Sequence, residues 1–565
     1  MNLVGSFYVK KRLDPPFVFS YLEFMVRKIF LYSVLGILFL NAFLSIFFPP
    51  VLWSLVLLAP FIFVGFADML QKKHAVKRNF PIIGRLRYLL EAIRPEISQY
   101  FIETNTSGVP FSREERSLVY QRAKGTLDTI PFGTQKQLYL EGYEWVNHSL
   151  IPQKVDPKAM RVKIGSSACN QPYSASLLNI GAMSFGSISR NAVLALNQGA
   201  RMGNFAQNTG EGGLSSYHLE GGGDLIWQIG SAYFGCRTQD GKFCENQFAE
   251  KSQLPNVKMI EIKLSQGAKP GYGGILPAAK VSQEIAAIRG VPPGVDCISP
   301  PAHSTFHTPL ELLEFVVKLR KLSGGKPIGW KLCVGQHREF MAICKAMVQT
   351  GITPDFISVD GGEGGTGAAP LEFANYIGSP LIEGLIFVHN CLVGFELRER
   401  IKIISGGKII SGFGILKQLC MGADLCFSSR GMMLALGCIQ ALRCNTNRCP
   451  VGVTTQDPGL VVGLVVEDKN KRVARFHENT IKSFCQILGA MGLHFPEQLR
   501  PWHLWRRISF SEVKHYGNLF PFLIKGDLLK EPYPKSYAWA CQKARVETFE
   551  DAELAFTEGD FNVEI

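Results

Sequence analysis

Phe356-Ile357-Ser358-Val359 runs directly into Asp360-Gly361-Gly362, and this join of a short apolar run to a glycine turn decides the fold. The join recurs. Ser176-Leu177-Leu178-Asn179-Ile180 stops at Gly181, and Pro327-Ile328-Gly329-Trp330-Lys331-Leu332 stops shortly before Gly335. Ile401-Lys402-Ile403-Ile404-Ser405 meets Gly406-Gly407, and Asp424-Leu425-Cys426-Phe427 meets Ser428-Ser429. Helix-like stretches fall between them, at 187–201, 309–322 and 413–421. Strands that alternate with helices in this way form a parallel sheet with crossover helices. Roughly 300 residues of such texture fit an α/β fold of the (β/α)8 TIM-barrel type with insertions.

In such a barrel the loops after the strands share one face, and phosphate commonly binds after the seventh and eighth strands. Gly406, Gly407 and Gly412, then Ser429-Arg430-Gly431, fall where those loops belong. Glycine turns bring backbone N–H groups close to phosphate oxygens, and Arg430 adds a paired donor. Gly362-Glu363-Gly364-Gly365-Thr366-Gly367 also matches G-x-G-x-x-G. It follows a late strand and opens into Ala368-Ala369-Pro370 rather than a helix. No acidic residue ends a convincing strand about 20 residues on, so the dinucleotide reading is set aside.

The chain has 14 cysteines among 565 residues. Most stand singly in apolar segments, as Cys297, Cys333 and Cys426 do, which suits small buried hydrophobes in a reducing compartment. Cys438, Cys444 and Cys449 differ, reading C-x5-C-x4-C before Pro450. Thiolates in a loop suit an iron–sulfur cluster, and three suit a three-iron cluster. Zinc prefers C-x2-C pairs with a fourth ligand, and no histidine is near. Three structural cysteines remain the plain alternative.

The formal charge of +13 raises the question of nucleic acid. Its distribution points elsewhere. Residues 1–80 hold Lys10, Lys11, Arg12, Arg27, Lys28, Lys72, Lys73, Lys77 and Arg78 against Asp14, Glu23 and Asp68. These cations flank two uncharged runs, Ile29 to Phe48 and Val51 to Phe66, separated by Pro49-Pro50. A bilayer span needs about 20 apolar residues. The first run qualifies, and the second is short enough to be tilted or re-entrant. Cations outside both runs and none in the turn place both ends in the cytoplasm. The expected organisation is a cytoplasmic segment at 1–28, a transmembrane hairpin at 29–67, a basic connector at 68–150, a catalytic barrel at 151–495 and a tail at 496–565. Within the connector, Ser112 and Glu115 form a capping-box pattern for a helix over 112–123.

With these pieces in place, five ordered motifs resemble the flavin-binding synthase portion of glutamate synthase over roughly 150 to 490. They are Gly181-Ala182-Met183-Ser184-Phe185-Gly186, Asn208-Thr209-Gly210-Glu211-Gly212-Gly213, Gln266-Gly267-Ala268-Lys269-Pro270-Gly271 with Ile298-Ser299-Pro300-Pro301, Gly364-Gly365-Thr366-Gly367-Ala368, and the cysteine loop through Val453 to Gln456. The resemblance implies FMN and a [3Fe-4S] cluster held by Cys438, Cys444 and Cys449. It implies reduction of 2-iminoglutarate, formed from 2-oxoglutarate and ammonia, to glutamate. Ala182, Met183, Ser184, Asn208, Gln266, Gly364 and Gly365 then contact the flavin, and Gly406, Gly407, Ser429, Arg430 and Gly431 its phosphate. Lys331 would stabilise reduced flavin, Lys269 and Arg289 would hold the dicarboxylate, and Glu211 would move a proton or hold ammonia. His303 and His307 read as structural.

Two departures matter. The family has Gln where this chain has Ile275, and losing a hydrogen bond to a charged group costs about 1.5–3 kcal/mol. The glutaminase domain, with its N-terminal cysteine nucleophile, has no counterpart here, since the first cysteine is Cys169. Nitrogen is therefore expected from free ammonia, an amine or a partner, and electrons from a separate donor protein. The alternative expectation is a membrane-tethered FMN dehydrogenase for another small keto or amino acid, exchanging electrons with a membrane carrier. Nucleic acid is not an expected partner.

Overall fold

The computed structural model describes residues 15–550, with side chains from Val26 onward. Lys10, Lys11, Arg12 and Asp14 of the basic segment, and residues 551–565 of the tail, lie outside the described residues. The chain divides into two compact units, one ending at Thr104 and one starting at Asn105.

In the first unit a helix over Pro15–Phe47 is followed by a 3-10 turn at Pro49–Trp53 and a helix over Ser54–Leu70. Two stretches, Val26–Phe47 and Pro49–Leu70, are each 22 residues long with mean hydropathy 2.2, long and apolar enough to cross a membrane. The second is longer than its uncharged run suggests, because the helix continues past Asp68. That carboxylate is buried and takes a paired contact from Arg85, 2.8 Å on each oxygen, and a third from the Ile82 N–H. The two helices touch where Gly65 leaves room for the Phe30 ring; a Cβ there would sit 2.1 Å from Phe30 Cζ. Ser54 Oγ donates to Asn41 Oδ1 at 2.5 Å between them.

The second unit is built on a closed barrel of eight parallel strands: β1 Leu178–Ile180, β2 Ala206–Asn208, β3 Asp224–Ile229, β4 Val257–Lys263, β5 Ile328–Cys333, β6 Phe356–Asp360, β7 Lys402–Gly406 and β8 Leu425–Ser428. Each strand pairs with its neighbours in sequence, and β8 pairs with β1 to close the ring. Side chains alternate across each strand. Outward-facing Trp227 stacks on Phe248 of the following helix at 5.3 Å. Inward-facing polar groups bind one another: Glu261 accepts from Asn208 and Gln228, both at 2.7 Å, and from Ser358 at 2.5 Å. The 25-residue helix Val466–Ala490 lies against the helix Arg190–Gly203, where Gly199 leaves room for Val473.

The expected capping box forms, with Ser112 accepting from Glu115 N–H and Glu115 from Ser112 N–H, at the head of the helix Arg113–Lys124. Glu144–Val146 pairs with Leu504–Arg507, which pairs with Val513–His515. Residues on both sides of the barrel sequence thus share one small sheet. Between β4 and β5 an insertion carries two paired two-residue strands, Ile275–Leu276 and Cys297–Ile298, and the helix Gln283–Arg289.

Candidate active site

Two adjoining cavities, of about 270 and 110 Å³, open among the loops that follow the strands. Ala182, Ser184, Glu211, Gln266, Gly365, Ser429 and Arg430 line both. The smaller cavity adds Lys331, Gly364, Gly406, Gly407 and Gly431. The larger adds Met183, Lys269, Arg289, Ile275 and all three cysteines of the loop, Cys438, Cys444 and Cys449. The sequence-derived residues therefore converge, with two exceptions: Gly412, which opens the helix Gly412–Cys420 and lines neither cavity, and Asn208. Asn208 is fully buried and lines neither cavity. Its amide donates to Glu261, and its Oδ1 accepts from Gly210 N–H at 3.0 Å, so it shapes the turn that presents Glu211. Gly210 has φ +65°, and a Cβ there would come within 2.6 Å of Ser184 N.

Glu211 stands in a glycine-lined slot. A Cβ on Gly274 would lie 2.1 Å from its Oε1, and one on Gly230 2.6 Å from its Oε2. Lys263, at the end of β4, donates to Glu211 Oε1 at 2.7 Å. Burial pushes the Glu211 carboxyl up, but Lys263, then Arg289 and Lys269, outweigh it and hold the group below its usual value. Burial and the nearby Lys263 lower Lys269 to about 8. Its Nζ donates to Ala368 O at 2.8 Å. Arg289 donates to Phe185 O at 3.0 Å and lies over the Phe234 ring, 5.1 Å from its centroid. Its Nε is buried without a partner. A carboxylate would satisfy such a donor.

Lys331, on β5, lies 3.0 Å from Asp360 Oδ2 at the end of β6. Burial opposes its charge, yet Asp360 and Glu261 together raise its pKa. Arg430 donates to Glu363 O at 2.6 Å. Burial lowers the Arg430 pKa against the pull of Glu363 and Asp360. A Cβ on Gly365 would lie 2.6 Å from Arg430 Cδ, and one on Gly431 2.4 Å from Ser428 Oγ. The glycines leave a cradle that side chains would fill, as a phosphate site after β7 and β8 requires. The residues fit a phosphorylated flavin.

The cysteine loop also fits its expected group. Burial raises Cys449, but the Thr454 hydroxyl and the N–H groups of Thr454, Val451 and Val453 overcome it and hold the thiol below its ordinary value. N–H groups aimed at sulfur are the usual surroundings of a cluster thiolate. Burial pushes Cys438 up to about 11, an order that a coordinated iron reverses. Among the described residues no three His, Cys, Asp or Glu side chains converge on one metal ion. A three-iron cluster gives each thiolate its own iron, so convergence on a single point is not its geometry.

Several residues at the site were given no role there by the sequence: Lys263, Asp360, Glu261 and Phe111. His303 is buried, lowered to about 4 by burial, and bonded to Tyr233 and Lys263 O. His307 is exposed. Neither histidine lines the two cavities.

A family model described as the conserved region in glutamate synthase matches residues 136–494. The glutamate synthase large subunit-like protein YerD of Bacillus subtilis (strain 168) is 36% identical over 500 residues, covering 81% of this chain and 95% of that protein. An archaeal glutamate synthase (NADPH) of Methanocaldococcus jannaschii is 32% identical over 359 residues, 63% of this chain and 66% of that one. An archaeal-type glutamate synthase (NADPH) of Thermotoga neapolitana is 33% identical over 320 residues, 56% of this chain and 60% of that one. The chain thus spans nearly all of the first relative and less than two thirds of the other two.

Proposed function

The chain belongs to the glutamate synthase family of oxidoreductases, and from that premise we propose that it makes glutamate from 2-oxoglutarate and ammonia with FMN and a [3Fe-4S] cluster. The observation that carries this reading is the convergence of Lys269, Arg289 and Glu211 on one cavity, with Lys263 holding Glu211 from the adjoining cavity that contains the glycine cradle. Lys269, with a pKa of about 8, is mostly a cation at neutral pH and receives one substrate carboxylate. Arg289 receives the other through its unpartnered edge. Glu211 stays a carboxylate, so it accepts from an imine or ammonia N–H and orients the nitrogen. Lys263 keeps that carboxylate charged and in place. Arg430 and the glycine loops would hold FMN, which would supply the hydride, and Cys438, Cys444 and Cys449 would hold the cluster, which would pass single electrons. Ile275 offers no hydrogen bond, which leaves dicarboxylate recognition to the cations.

The test is anaerobic. Protein purified in detergent is reduced, and flavin absorbance is followed after adding 2-oxoglutarate with ammonium. Reoxidation that needs both compounds supports glutamate formation. A flavin that stays reduced overturns it and favours another keto acid, with an apolar group against Ile275, and electron exchange with a membrane carrier.

The two apolar stretches, with Arg27 and Lys28 at the start of the first and Lys72, Lys73, Lys77 and Arg78 after the second, support attachment to the cytoplasmic membrane with the barrel on the cytoplasmic side. Partition into the membrane fraction, lost on deleting 29–67, tests the attachment. A separate electron-donor protein completes the proposed cycle.

A further inference from the structure

One wall of the larger cavity comes from residues before the family-matched region. Pro110 and Phe111 line it, yet the match begins at 136. Phe111 is 2% exposed, and the Arg430 guanidinium lies over its ring, 5.2 Å from the centroid. Its backbone is clasped by one side chain of the cysteine loop. Phe111 N–H donates to Gln440 Oε1 at 3.1 Å, and Gln440 Nε2 donates to Phe111 O at 3.1 Å. Nine residues on, Tyr120 donates from its hydroxyl to Cys438 O at 2.7 Å. The helix that carries Tyr120 is fixed at its other end, where Asn479 donates to Arg122 O at 3.0 Å.

We propose that residues 109–124 form a strap across the cofactor site, in which Phe111 positions Arg430 for the flavin phosphate and Gln440 joins that strap to the cysteine loop. The inference rests on the FMN reading above and extends it to residues outside the matched region. A guanidinium on an aromatic face keeps its plane fixed and its edges free. One edge is taken by Glu363 O, and the stack leaves the remaining N–H groups beside Ser429 and Gly365, which line the same cavities. Phe111 is a positioning residue: it acts on the cofactor through Arg430. The two backbone bonds to Gln440 make its placement depend on the cysteine loop, so loosening either end loosens the other.

The experiment measures FMN release from full-length holoprotein in detergent, by the rise of free-flavin fluorescence after dilution, for Phe111→Leu, Phe111→Trp and Gln440→Ala. Leucine fills space without an aromatic face, and tryptophan keeps the face. Phe111→Leu is expected to speed release about tenfold, equivalent to about 1.4 kcal/mol, while Phe111→Trp stays within twofold of the parent. Gln440→Ala is expected to speed release and also to broaden the electron paramagnetic resonance signal of the oxidised cluster. Equal release from parent and Phe111→Leu, at unchanged circular dichroism, overturns the strap, as does Trp behaving like Leu. Parent protein that neither carries nor takes up FMN overturns the cofactor reading instead, and the strap with it.

Discussion

Lys263 Nζ lies 2.7 Å from Glu211 Oε1, joining the end of β4 to the turn after β2 across the barrel mouth. Neither side chain is well solvated, and the lysine is what holds the Glu211 carboxyl in its charged form. Breaking such a pair from one side costs about 3–5 kcal/mol, because a buried charge is left uncompensated. Lys263→Met is therefore expected to lower the melting temperature and to cut turnover, with the acid limb of the activity profile moving to higher pH as Glu211 loses its main partner. The sign follows from linkage. A carboxyl held below its unfolded value near 4.3 stabilises the fold at neutral pH, and that contribution is lost as pH falls through the folded pKa. Melting curves from pH 7 down to about pH 3 on both proteins check this; an unchanged acid limb would refute the pairing.

Lys269 sets the alkaline side. Its pKa of about 8 means the cation fades above that pH. The KM for 2-oxoglutarate is expected to rise about fivefold between pH 8 and 9, as the protonated fraction falls, while kcat changes less. Stability moves the other way: the unfolded lysine, near 10.4, binds more protons than the folded one, so the fold gains as pH climbs from about 8 to about 10. Lys269→Met should raise KM at all pH values and flatten this rise. A KM that still climbs through pH 8 in that variant would assign the titration to another group.

The late strands were legible because Phe356–Asp360 and Lys402–Gly406 are apolar runs that end in glycine. Leu178–Ile180, which stops at Gly181, was legible in the same way, but the three strands that follow it were not. Ala206–Asn208 is three residues long, and Val257–Lys263 reads as a half-exposed strand because Glu261 and Lys263 fall on alternate positions. Those positions face the barrel interior, where the polar residues form the site. The signal that finds Lys263 is the same alternation followed by Ser265-Gln266-Gly267. Phe111 carried no such signal: an aromatic in an irregular segment 319 positions before Arg430 shows its role only when the chain has folded it onto the guanidinium. Arg430 itself was legible, since it opens a helix between glycine turns.

Two glycines separate the ends of the site. Gly274→Ala places a Cβ 2.1 Å from Glu211 Oε1, and Gly365→Ala places one 2.6 Å from Arg430 Cδ. Contacts that short force a shift. The first substitution should cut turnover by about a hundredfold, near 2.7 kcal/mol, with FMN content unchanged. The second should lower FMN content in the purified protein. Flavin loss in Gly274→Ala, or full flavin in Gly365→Ala, would contradict the assignment of the two cavities.

Lys331 and Asp360, 3.0 Å apart, give opposite expectations from neighbouring positions. Asp360 and Glu261 raise the lysine pKa despite burial, so the cation persists throughout the working range. Reduced flavin is anionic, and a fixed cation beside it favours reduction. Lys331→Met removes that cation and should lower the two-electron potential of bound FMN, by about 30 mV for each tenfold loss of preference. Asp360→Asn removes the competing anion and should raise the potential instead. Titration with dyes of known potential measures both. Shifts of the same sign would mean that the two variants act through a common distortion of the barrel mouth; opposite signs locate the flavin beside the Lys331–Asp360 pair, because only a charge read at close range distinguishes the two partners of one ion pair.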